Sequence, residues 1–248
     1  MKNLFSFNYD TFNYWPIYDA VKKYYPLGID VNRQDVRITK RSETFVDNYP
    51  ANKDIQELIH ENIFIQKNHS TRWGSFQKDL QNQTAKRIRN TSNLMWPCFS
   101  GNVVLSNKKN GNCIYSSELR FAVSLLGPFY TIYGADSTTL VLHSGIPHPD
   151  EPTYPVRFPS INAITASPYQ EYESTFQIVQ DSIRKCFPGY RLVPFVINTM
   201  RIEGLHLDHF EEQDPTIHDA LFYNLENFTY SMRRVRGDKS YGCDEWRI

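Results

Sequence analysis

The sequence predicts an α+β protein: a helical N-terminal part, then an antiparallel β-meander covered by an amphipathic helix. Three observations predict it. Apolar residues recur at helical spacing through most of the first ninety positions. After Trp96-Pro97 the pattern changes to β-rich runs bounded by turn signals. A strong helical period returns at Tyr172–Phe187, beyond a proline-rich stretch. A chain of 248 residues can bury one large core. The reading is one domain over 1–248, helical through 1–95, with a sheet-containing body at 96–230 and a partly loose tail at 231–248.

The helical part contains three candidate segments. Thr11–Tyr25 mixes aromatic and aliphatic residues at helical spacing, with Pro16 suited only to the first turn. Asp54–Gln66 sets Ile55, Leu58, Ile59 and Ile63 on one face, and Trp73–Ile88 does the same with Trp73, Phe76, Leu80, Thr84 and Ile88. Lys86, Arg87 and Arg89 then fall on a solvated face.

Beyond Trp96-Pro97, Phe99–Leu105 and Ile114–Leu125 read as strands joined through the tight-turn signal Asn110-Gly111. Gly127-Pro128 breaks the run. Phe129–Tyr133 and Thr138–Leu142 follow as two strands separated by Gly134-Ala135-Asp136-Ser137. Short connections between sequential strands favour an antiparallel meander. Alternation sets Phe129 and Thr131 opposite Tyr130 and Ile132, so one set is expected in the core and the other is free to form a binding ridge.

Residues 144–160 hold prolines at 147, 149, 152, 155 and 159 and read as an extended surface connection. Ser167, Pro168 and Gln170 resemble a capping box opening a helix. Tyr172, Phe176, Val179, Ile183 and Phe187 give it one apolar face, and Pro188-Gly189 ends it. Tyr190–Asn198 reads as an edge or bulged strand because of Pro194, and a short helix is expected after Asp214-Pro215. Trp246 is either folded back or an exposed contact residue.

Hydrophobic residues at 40% and charged residues at 22%, with no net charge, argue against disorder. Aromatics are abundant, with 16 Tyr, 16 Phe and 4 Trp, so rings must fill much of the core. The N-terminus has no apolar run typical of a signal peptide, and no 18 apolar residues follow one another. Cys98, Cys113, Cys186 and Cys243 form no C-x-x-C and no zinc spacing. A cytoplasmic protein with free thiols, no cofactor and no membrane partner is expected. Charge is uneven: residues 31–110 carry thirteen Lys/Arg against seven Asp/Glu, and residues 111–231 carry six against fourteen. This reads either as ordinary surface variation or as an acidic face meeting a basic partner. Nucleic-acid binding is disfavoured, since no Arg-rich helix or basic-aromatic motif accompanies the basic half.

The candidate chemistry lies in GLHLDHFEEQDPTIHD, residues 204–219. Imidazoles and carboxylates can ligate zinc, iron or manganese, so His206, Asp208 and His209 offer a metal-dependent hydrolase as the alternative function, with His218 and Asp219 nearby. No spacing here matches H-E-x-x-H, and the favoured reading is a solvated acidic loop without metal. Glu203, Asp208, Glu211, Glu212 and Asp214 are then the expected partner-binding residues. Cys98 could serve as a nucleophile only with His143 or His148 beside it. No G-x-S-x-G and no phosphate-cradling glycine motif occurs. No catalytic residue is assigned.

The phrase Ser124-Leu125-Leu126-Gly127-Pro128-Phe129-Tyr130-Thr131-Ile132-Tyr133-Gly134 resembles a strand–turn–strand in small cytosolic immunity proteins of bacterial polymorphic toxin systems. The likeness spans these eleven residues and brings no functional residues with it. It implies a non-enzymatic protein that binds and neutralises a bacterial toxin, and an acidic face would suit a basic one.

Overall fold

The structure, a computed structural model, describes residues 8, 11–29, 49–65, 70–142, 155–207, 215–222 and 234–243. Its organising element is a sheet. Strands β1 (Ile88–Asn90), β2 (Cys98–Asn110), β3 (Cys113–Ser124), β4 (Phe129–Leu142) and β5 (Val156–Thr165) lie side by side in chain order, each antiparallel to the last. Two short strands complete it: β6 (Arg191–Leu192) runs parallel to the start of β4, and β7 (Val235–Arg236) runs parallel to the end of β5. The meander and the α+β class are therefore as the sequence predicts.

Helices precede the sheet and return after it. Helix α1 spans Trp15–Tyr24 with Pro16 in its first turn, and buries Ile17, Ala20, Val21 and Tyr24. Helix α2 spans Pro50–Ile59 and continues as a π-turn, His60–Phe64. Helix α3 (Ser70–Thr84) ends at Ala85, whose φ of 52° no helix continues through, so Ile88 enters β1 instead of extending the helical stripe. Helix α4 spans Glu173–Cys186 and is followed by Gly189 at φ 84°. The short helices α5 (Phe195–Asn198) and α6 (Ile217–Leu221) come last.

Both faces of the sheet's near half are covered. Trp73, Phe76 and Leu80 of α3 and Phe176, Val179 and Ile183 of α4 pack on Val103, Leu119, Phe121, Tyr130 and Ile132. On the other face, α1, α2 and α6 pack against Cys98, Ala122 and Phe129, while Phe195 of α5 meets Tyr133, Ala135 and Ile164. Both alternating sets in Phe129–Tyr133 are thus buried, each residue 1% exposed or less. The expected exposed ridge does not exist, because a second helical layer lies where solvent was expected. Full burial of each such ring contributes roughly 1.5–3 kcal/mol.

Four further expectations change. Gly134 is no turn: β4 runs unbroken through it, and a Cβ there would come within 2.6 Å of the Tyr172 ring, so the glycine admits that ring. The end of the proline-rich stretch, from Val156, is strand β5, and Pro159 sits where β5 has no neighbour on its outer side among the described residues. Tyr190–Asn198 is not one strand: it forms β6 and then turns at Pro194 into α5. Ser167 does not cap α4; its hydroxyl accepts from the Asp238 backbone N–H at 2.8 Å, and a 3-10 turn at Gln170–Tyr172 opens the helix instead.

Candidate functional site

Cross-strand register defines the outer half of the sheet. Cys113, Leu140 and Phe158 share one row, Tyr115 and Thr138 the next, and Leu142 and Val156 a third. Directly opposed and i, i+2 residues share a face. This is the face that α3 and α4 cover farther in, yet here Tyr115, Leu140, Leu142, Val156 and Phe158 are 47, 37, 42, 48 and 53% exposed. By strand spacing and rise the patch measures about 10 Å by about 14 Å. Lys108, exposed and opposite Tyr115, gives it a basic edge, whereas Lys109 and Arg157 alternate to the other face.

A partly buried ionic network, centred on the buried Arg236, marks where the helical cover ends. Arg236 donates from Nε to the Thr165 hydroxyl (2.8 Å), from Nη1 to Gln170 Oε1 (2.6 Å), and from Nη2 to Asp136 (3.3 Å) and Glu171. Asp136 also accepts from Ser117 at 2.6 Å and from the Tyr172 hydroxyl at 2.8 Å. Burial first, and then the Asp136 charge and hydrogen bond, push the Tyr172 phenol well above its ordinary range. The arrangement locks β4, β5, β7 and the turn before α4 together, so the apolar face beyond it is presented on a rigid frame. Residues 234–243, read in the sequence as part of a loose tail, are tied in by this network.

The second surface feature lies at the π-turn. Ile65 N–H bonds the His60 carbonyl at 2.8 Å, and Phe64 stacks on the His60 ring at 4.9 Å while remaining 61% exposed. A groove of about 480 Å³ opens beside it, lined by Ile59, Ile65 and Leu94 together with Gln56, Glu57, His60 and Glu61.

Few of the sequence-predicted site residues fall among the described residues. Glu203 is exposed in a turn closed by Gly204, whereas Asp208, Glu211, Glu212 and Asp214 lie outside the described residues, as do His209, His143, His148 and Trp246. His206 lies with Nε2 3.2 Å from the Ile29 carbonyl oxygen. His218 is a core residue packed against Tyr133 and Phe222, with ring centroids at 6.1 and 5.1 Å, and burial lowers its pKa to about 3. Asp219 forms a capping box with Thr216 at the start of α6. Among the described residues no group of three His, Cys, Asp or Glu side chains could hold a metal ion.

Cys98 is buried and desolvation pushes its thiol upward, the wrong direction for a nucleophile. All four cysteines are free, with Cys98 and Cys243 buried and Cys113 and Cys186 partly accessible. Thiol titration of the native protein should therefore modify two cysteines quickly, and denaturation without reductant should release all four. A denatured count below four would establish disulfide bonding.

Sequence reasoning missed the outer sheet face. The available signal was the alternation Leu140-x-Leu142 and Val156-x-Phe158, hidden because the second pair fell in a stretch dominated by prolines. Among the described residues no helix is long and apolar enough to cross a membrane. Comparison with family models, with curated proteins and with solved structures finds no match.

Proposed function

We propose that this is a non-enzymatic protein-binding protein, and specifically an immunity protein that binds and neutralises a bacterial toxin. The observation that carries the binding reading is the row of five large apolar side chains on the outer sheet face, held on a rigid frame and left without helical cover among the described residues. Flat apolar patches with a polar rim suit a protein surface better than a small molecule, which needs a concave site. The aromatic members, Tyr115 and Phe158, are the residue types that anchor such contacts. Lys108, on the same face opposite Tyr115, calls for an acidic group on the partner at that edge. Glu203, Asp208, Glu211, Glu212 and Asp214 are proposed to meet a basic region of the same toxin. The immunity reading rests further on the likeness of residues 124–134 and on the free thiols, which suit a reducing compartment.

The experiment is co-expression with the product of each adjacent gene, read by growth and by co-purification. The wild type should protect against one of them and bind it. Leu140→Asp with Phe158→Asp should weaken that complex about a hundredfold, as loss of central apolar anchors does, while thermal melting still shows a cooperatively folded protein because both side chains are already partly exposed. Undiminished binding by the double variant would remove the sheet face from the interface. If the wild type neither binds nor protects against any adjacent product, the immunity reading fails.

A further inference from the structure

We propose that the groove at the π-turn is a second binding site, which takes a cationic, apolar peptide segment of a protein partner. An α-helix continued regularly past Ile59 would repeat the buried stripe of Ile55 and Ile59. The wide turn at His60–Phe64 interrupts it: Ile63 stays partly buried, but Phe64 and Ile65 emerge 61 and 41% exposed. Leu94, 49% exposed in the turn before β2, lines the same groove as Ile65, and its neighbour in sequence Met95 is 61% exposed. Leaving such side chains in water forgoes burial that the rest of the chain exploits, and the groove that Ile59, Ile65 and Leu94 line suits an apolar occupant.

Its charge selects which one. Glu57 and Glu61, one helical turn apart and both exposed, line the groove, and no Lys or Arg lines it among the described residues. The volume of about 480 Å³ accommodates two or three side chains of an extended or helical segment, not a folded surface. A segment placing Leu-like residues against Ile59, Ile65 and Leu94 and a Lys or Arg against each carboxylate satisfies both features. This site uses no residue of the outer sheet face, so it stands or falls separately from the binding reading built on that face.

The test uses fluorescein-labelled heptapeptides and anisotropy with the full chain. A peptide alternating Leu and Lys should bind saturably, its Leu–Glu counterpart should not bind, and a Ser–Lys peptide should bind at least about tenfold more weakly. Glu57→Lys with Glu61→Lys should reduce Leu–Lys binding by at least about tenfold, and Leu94→Asp should do the same, with unchanged thermal melts showing that both variants are folded. Leu140→Asp with Phe158→Asp should bind the peptide as the wild type does. Absence of saturable Leu–Lys binding, equal binding of Leu–Glu, or full binding by the Glu57/Glu61 variant would each overturn the proposal.

Discussion

Replacing Arg236 by leucine is expected to destabilise the protein by roughly 3–5 kcal/mol, the range seen when one partner of a buried ion pair is removed. The side chain is 10% exposed and makes charge-assisted or polar bonds to Thr165, Gln170, Asp136 and Glu171. Asp136, 28% exposed, would keep its bonds from Ser117 and Tyr172 but lose the guanidinium that faces its carboxylate. Glu171 is half-exposed and would re-solvate, so Glu171→Gln alone should change stability by less than about 1 kcal/mol. Lysine at 236 keeps the charge but cannot present a forked set of donors, and should fall between. Combining Arg236→Leu with Asp136→Asn should cost less than the sum of the two, since the second change removes the charge the first exposes. Denaturant unfolding at neutral pH measures all five variants, Asp136→Asn alone included. A loss below about 1 kcal/mol for Arg236→Leu would mean that the network is ornamental and that β7 is held by other contacts.

That network illustrates what the sequence could and could not disclose. The apolar stripes of α1, α2, α3 and α4 were legible because each has several large side chains at a single period, and burial of Phe76, Leu80, Phe176, Val179 and Ile183 follows directly. Strand order was legible from the turn residues, above all Asn110-Gly111, where Gly111 adopts φ 55° between β2 and β3. Arg236 was not. Its partners lie 65 to 100 residues away, and one more arginine in the run Arg233-Arg234-Val235-Arg236 carries no local sign that it will be buried.

Gly134 and Pro194 misled for the opposite reason. Each has a local meaning, turn or bulge, that a distant residue overrides. Tyr172 needs the missing Cβ at 134, and Pro194 starts α5 because the chain must leave β6 to place Phe195 against Tyr133. The candidate binding surfaces were hidden by a related effect. Leu140 and Phe158 look like any core pair in the sequence, and only register against β3 and the extent of α3 and α4 reveal that nothing described covers them. The acidic cluster, by contrast, was conspicuous in sequence, and of its carboxylates Glu203 alone falls among the described residues.

Acid should unfold this protein in a manner that His218 partly controls. The side chain is 1% exposed, and burial holds its pKa near about 3, against an ordinary value of 6.5. The folded state therefore keeps a neutral imidazole throughout the range in which the unfolded chain takes up a proton. A depressed folded pKa means that the contribution is fully present above pH 6.5, declines as pH falls, and is exhausted near pH 3. At pH 5 the loss from this group alone is about 2 kcal/mol, and the whole window is worth roughly 5 kcal/mol. Carboxylates titrate over part of the same range, so the wild-type slope cannot be assigned to one residue, but a comparison can. His218→Phe retains a flat ring beside Tyr133 and Phe222 and removes the titration. Its stability at pH 7 should differ from the wild type by no more than about 1–3 kcal/mol through repacking, and the difference should shift in favour of the variant by about 2 kcal/mol between pH 7 and pH 5. Urea unfolding at half-unit steps between those values resolves this. Parallel curves would show that the imidazole titrates alike in both states, and that solvent reaches it in the native protein.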